Sequence, residues 1–172
     1  MSAVASKPRH PPLYTPSQRA RRDSTRWTTV QAVLAPLQFL VFIVSLALVL
    51  RYLFTGEGYG AATASILLKT ALLYTIMVTG AIWEKVVFGQ YLFAPAFFWE
   101  DVVSFVVIGL HTLYLYGLIT ENLSPPQLMA VTLAAYLTYV LNAGQFLWKL
   151  RMARRDMAAA DSRDTLDEGV AA

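Results

Sequence analysis

Three carboxylates and a lysine, Glu84, Lys85, Glu100 and Asp101, bracket the stretch VVFGQYLFAPAFFW. The surrounding chain avoids charge. A carboxyl group set among aromatic rings and beside a second carboxylate has its acid form favoured, by desolvation and by like charge. Such a group is a proton donor usable near neutral pH, and its neighbour is left as a base. The competing reading is structural: Lys85 pairs with Glu84 or Asp101, and the charges merely end two helices.

The elements that must position these groups follow from hydropathy. Of 172 residues 56% are hydrophobic and 15% charged, and the mean hydropathy is +0.48, a balance rare in soluble domains. Four apolar runs, at about 30–54, 61–83, 102–120 and 127–148, each hold the roughly 20 residues that cross a hydrocarbon core of about 30 Å as a helix. They lack the alternation of barrel strands. The expected fold is therefore an all-α integral membrane protein, a four-transmembrane-helix bundle spanning 28–150. A basic, proline-rich segment with a short interfacial helix (1–27) precedes it and a flexible tail (151–172) follows. Lys7, Arg9, Arg19, Arg21, Arg22 and Arg26 lie before the first run, and Lys149, Arg151, Arg154, Arg155 and Arg163 after the last. By the positive-inside rule both termini face the cytoplasm, and the connector at 84–101 lies on that side too. It is too apolar for a solvated loop and too interrupted by Gly89 and Pro95 for a straight helix, so it is expected to re-enter the interface. There it places Phe88, Tyr91, Phe93, Phe97 and Phe98 against the carboxylates.

On an antiparallel hairpin Glu84 and Glu100 lie at one depth and can face each other. Asp101, about 100° around the helix from Glu100, is expected to point elsewhere, toward another helix or Lys85; the alternative is that Asp101 takes the place of one of the two in the facing pair. Glu100, Ser104, Val107, His111 and Tyr114 share one face of the third span. A carboxylate and a histidine on one inward face are expensive in lipid and suggest a site. Tyr136, Tyr139, Asn142, Gln145 and Trp148 form a second polar and aromatic face able to line the same cavity. In the first span Gln31, Gln38, Ser45 and Tyr52 recur every seven residues, a stripe expected to face protein. Pro36 is placed in the first turns of that span, where a missing amide donor is cheapest. Lys69 either snorkels to the surface or points into the bundle. Gly80 allows close approach of a neighbour.

Absent cysteines remove thiolate chemistry and cysteine-ligated clusters. The net charge of +3 is accounted for by the membrane flanks, and nothing further supports nucleic-acid binding.

The segments LYTPSQRARRDSTRWTTVQAVLAPLQFLVFIVSLALVLRYLFTGEGY and KTALLYTIMVTGAIWEKVVFGQYLFAPAFFWEDVVSFVVIGLHTLYL closely resemble the 3-vinyl bacteriochlorophyllide hydratase family of bacteriochlorophyll biosynthesis in anoxygenic phototrophs. The likeness covers about 13–148. It implies a hydro-lyase that adds water to the 3-vinyl group of chlorophyllide a or a related bacteriochlorophyllide, giving a 3-(1-hydroxyethyl) group. No cofactor is needed, since the magnesium belongs to the substrate. The resemblance also implies a multi-pass protein of the bacterial inner, photosynthetic intracytoplasmic membrane, in contact with lipid and with neighbouring enzymes of pigment synthesis. On that reading Glu84, Glu100 and Asp101 are the candidate acid and base residues. Tyr91, Phe97, Phe98 and Trp99 stack on the macrocycle, Arg22, Arg26 or Lys85 pairs with its propionate, and Asn142 lines the cavity. His111 is a candidate axial ligand of the substrate magnesium. The competing function is a non-catalytic tetrapyrrole-binding or assembly subunit.

Overall fold

In the computed structural model the described residues are 13–171, with side chains described through 155 and at Ala158. All regular structure among them is helical. There are five helices: α1 (Pro16–Ser24), α2 (Arg26–Thr55), α3 (Tyr59–Phe88), α4 (Phe98–Ile119) and α5 (Pro125–Ala171). The four helices α2 to α5 are each long and apolar enough to cross a membrane. Lys7, Arg9 and the rest of the leader before Leu13 lie outside the described residues.

Local signals set the helix boundaries. Thr15 caps α1 reciprocally with Gln18, with Pro16 in the first turn, satisfying amide donors that a helix start leaves unpaired. Thr25 ends α1 and caps α2 with its side chain. Because α2 already starts at Arg26, Pro36 sits nearly three turns inside it rather than in its first turns. There the ring removes an internal donor, the one that would have reached the carbonyl of Ala32. Gly89 ends α3 at φ 89°, a left-handed conformation that glycine adopts without steric cost, and its N–H returns to the Lys85 carbonyl. At the other end of the molecule α5 runs on to Ala171, through the stretch that the sequence suggested was a flexible tail.

Consecutive helices joined by short turns pack as hairpins, α2 on α3 and α4 on α5. The hairpins meet through α2 with α5 and α3 with α4, while α1 lies against α3. Phe42, Val49, Ile66, Leu73, Val107, Met129 and Tyr136 form the central core. A smaller cluster around Tyr14, Val87, Phe97 and Ala153, flanked by Trp83, Phe88 and Phe146, closes the end where α3 gives way to α4. The α2 stripe faces protein as expected: Gln38 and Ser45 are buried, and Gln31 donates to Thr79 Oγ1 at 2.8 Å. Gly80 takes the Gln31 side chain against it, with a notional Cβ 3.8 Å from Gln31 Oε1. Lys69 points into the bundle and is completely buried.

Candidate functional site

The connector from Gly89 to Phe97 turns tightly beneath the ends of α3 and α4. Two of its backbone amides end on acids. The N–H of Phe93 donates to Asp101 Oδ2 at 2.7 Å, and the next N–H, that of Ala94, donates to Glu84 Oε2 at 3.2 Å. Phe93 makes this possible by taking a left-handed backbone, φ 59°, which is uncommon for a bulky residue. The Glu84 and Asp101 carboxyl groups lie within hydrogen-bonding reach of one another. Both side chains are buried.

The facing pair is therefore Glu84 with Asp101. Asp101 does not point away from Glu84 as its 100° offset suggested, because the connector rises beside α4 and draws it inward through the Phe93 amide. Glu100 turns to α5 instead. Its Oε2 pairs with Lys149 Nζ at 2.6 Å, and the same ammonium donates to the Ala96 carbonyl. Lys85 pairs with neither Glu84 nor Asp101: its Nζ donates to the Gly89 carbonyl at 2.8 Å and lies 5.3 Å from the centroid of the Tyr91 ring.

The aromatic residues divide into two sets. Phe97 is only 3% exposed and packs against Tyr14, Trp83, Phe88 and Phe146, so it supports the connector from within. Burial raises the Tyr14 phenol above its usual pKa, against the opposing pull of the nearby Arg22. Tyr91, Phe98 and Trp99 are exposed. Trp99 meets Phe98 edge-on at 5.4 Å, Phe98 meets Phe93 at 5.7 Å, and Phe93 stacks on Phe105 at 5.5 Å and 12°. These four rings form a continuous apolar face on the outside of α4, beginning at the residue whose amide holds Asp101.

Other candidates fall elsewhere. His111 is buried in the bundle core, about 15 Å along α4 from Asp101. Asn142 is buried one turn in from the acids, its amide nitrogen donating to Ser104 Oγ at 2.7 Å. Arg26 is exposed, at the start of α2. The sequence reading missed Lys149 as the partner of Glu100, having counted it only as a topogenic charge. It also missed Phe105 and the docking of Tyr14. The spacing of Phe105 from Phe98 and Trp99 on α4 was the available signal.

Residues 14–152 match the family described as 2-vinyl bacteriochlorophyllide hydratase. The chain belongs to that family. It is 76% identical over 151 residues to the 2-vinyl bacteriochlorophyllide hydratase of Cereibacter sphaeroides, covering 88% of this chain and 94% of that one. It is 72% identical over 150 residues to the protein of the same name from Rhodobacter capsulatus, covering 87% of each. No solved structure matches. Membership makes the protein a hydratase, an enzyme of the hydro-lyase class, and decides against the non-catalytic alternative. The family description carries the locant 2 where the sequence-based expectation carries 3; a vinyl group is the reacting group in both.

Proposed function

We propose that the protein adds water to the vinyl substituent of chlorophyllide a or a related bacteriochlorophyllide, using Glu84 and Asp101 as a coupled acid and base. The observation that carries the reading is the contact of these two buried carboxyls, each fixed by one of two consecutive amides. Two carboxyl groups in such contact hold one proton between them, so one can donate while the other accepts. The acid protonates the terminal vinyl carbon. The resulting cation at the inner carbon is delocalised into the macrocycle and faces the carboxylate. Water then forms the C–O bond at the inner carbon and gives its proton to that carboxylate. CH=CH2 and H2O become CH(OH)–CH3 with no electron exchanged, which is why no redox cofactor is part of the proposal. A proton shift within the pair restores the starting state.

The substrate reaches the pair from the bilayer. Its flat ring lies on the face of Phe93, Phe98, Trp99 and Phe105, aromatic surface suited to offset stacking, and the exposed Lys85 is available to its propionate. The location is a bacterial inner membrane, and the positive-inside pattern supports an orientation with both termini and the connector on its cytoplasmic side. The connector then sits at the cytoplasmic rim as a re-entrant cover.

The test is hydration of chlorophyllide a by membranes carrying Glu84→Gln or Asp101→Asn, followed by the blue shift and mass gain of the product. Each variant should lose about 10²- to 10⁴-fold in rate, the usual contribution of a positioned acid or base. Rates within twofold of the native protein for both variants would dismiss the pair as the catalytic centre.

A further inference from the structure

About three turns into the bundle from the carboxyl pair lies a second polar centre that the hydration chemistry does not use. Lys69 is 0% and His111 1% exposed. The ammonium nitrogen of Lys69 sits 3.5 Å from the centroid of the Tyr139 ring and has no hydrogen-bond acceptor. His111 places Nδ1 2.8 Å from the Val107 carbonyl. That carbonyl can only accept, so in the neutral imidazole Nδ1 carries the proton and Nε2 presents a lone pair. Nε2 has no partner either. Lys69 is close enough to act on His111 electrostatically, and the His111 ring lies 6.0 Å from that of Tyr136, whose hydroxyl meets Ser45 Oγ at 2.6 Å.

The two unmet atoms constrain what could answer them. One lacks an acceptor and the other a donor. A carboxylate would satisfy Lys69 and leave the imidazole lone pair bare. A metal ion would satisfy the lone pair and be repelled by the ammonium. A hydroxyl compound serves both, accepting from Nζ and donating to Nε2, and water is the smallest. Leaving such groups unpaired in an apolar interior is costly, whereas buried waters that join unsatisfied polar groups are regular parts of folded proteins. A second requirement points the same way: Asn142 Oδ1 and Gln145 Oε1, successive polar positions on α5 toward the rim, also lack donors.

We propose that Lys69 and His111 form a water-binding site within the membrane-spanning bundle, at the inner end of a polar seam between α4 and α5. The site stands independently of the hydration reading. Only its use, to supply water toward Asp101 past Asn142 and Ser104, rests on that reading.

The chain contains no cysteine, so one introduced thiol reports on its own surroundings. Ser45→Cys puts a near-isosteric thiol beside Tyr136, and Val106→Cys puts one on the exposed outer face of α4. The probe is D2O itself, followed by the infrared shift as S–H becomes S–D in the full-length protein in lipid. Ser45→Cys should exchange at least about tenfold faster than Val106→Cys, because thiol exchange needs water at the sulfur. Adding Lys69→Met should remove that advantage. A Ser45→Cys thiol that exchanges no faster than Val106→Cys would mean that no water sits beside Tyr136 and His111, and overturns the site. Fast exchange that persists with Lys69→Met overturns it as well. Should Ser45→Cys fail to fold, Ser104→Cys reports on the same seam under the same criteria. Exchange is read without turnover, so its outcome is separate from that of the Glu84 and Asp101 variants.

Discussion

Glu100 and Asp101 are neighbours in sequence with different partners, and the difference assigns them different work. Asp101 meets Glu84 and the Phe93 amide, while Glu100 is neutralised by Lys149. Replacing Lys149 by Met should leave a buried carboxylate uncompensated and destabilise the protein by about 1–3 kcal/mol, below the range for a fully buried pair because Lys149 is partly exposed. Thermal unfolding in detergent measures this, and the double variant Lys149→Met/Glu100→Gln should recover most of the loss. If the single variant melts with the native protein, the pair contributes nothing. Glu100→Gln alone should cost far less activity than Asp101→Asn, because Glu100 is turned toward Lys149 on α5 and not toward Glu84. The residue types at this site were legible from the sequence, and the pairing was not. Angular offset on an ideal helix puts Asp101 away from Glu84, but it says nothing of a connector that climbs beside the helix and offers it an amide.

Apolar length made the four spanning helices readable, and their observed ends extend the expected ones by a few residues at caps such as Thr25 and Gly89. Hydropathy does not register those ends, since they depend on side-chain and backbone hydrogen bonds at the boundary. The turn between α4 and α5 carries a tighter constraint. A Cβ on Gly117 would lie 2.7 Å from Leu123 Cγ and 3.1 Å from its Cβ, so the leucine side chain would have to leave its place in the turn. Gly117→Ala should therefore cost about 1–3 kcal/mol, the range for overpacking. Leu123→Ala in the same chain should restore much of it. Denaturant titration of both variants tests this, and an unchanged midpoint for Gly117→Ala would refute the constraint. Gly80 has open van der Waals contact with Gln31 instead, and alanine there should be tolerated within about 0.5 kcal/mol.

For the molecule as a whole, basic residues at both ends of an even number of spans predict one sidedness. Reporter fusions at the two termini should be active on the cytoplasmic side, and insertions in the turns at 56–58 and 120–124 on the other. A terminus found outside would invert the placement of the connector and remove the cytoplasmic rim from the mechanism. Composition made the helical architecture legible, since a helix keeps the backbone of an apolar run satisfied within itself, and four helices of that length and character are present. Composition could not reveal that the polar residues divide into two centres. Glu100 and His111 share a face of α4 and so read as one site. The packing of α5 and the connector then gives the acids to the rim and encloses His111 with Lys69 and Tyr136.

The consecutive amides of Phe93 and Ala94 tie the fate of the connector to two acids. A line of descent that abandoned the reaction could not simply discard Glu84 and Asp101, because the turn would lose the acceptors that hold Phe93 in its left-handed shape. Persistence of these acids in a relative would accordingly testify to the loop as much as to the chemistry. The two demands separate in the laboratory: an amide keeps the accepting oxygen and removes the acid, whereas alanine removes both.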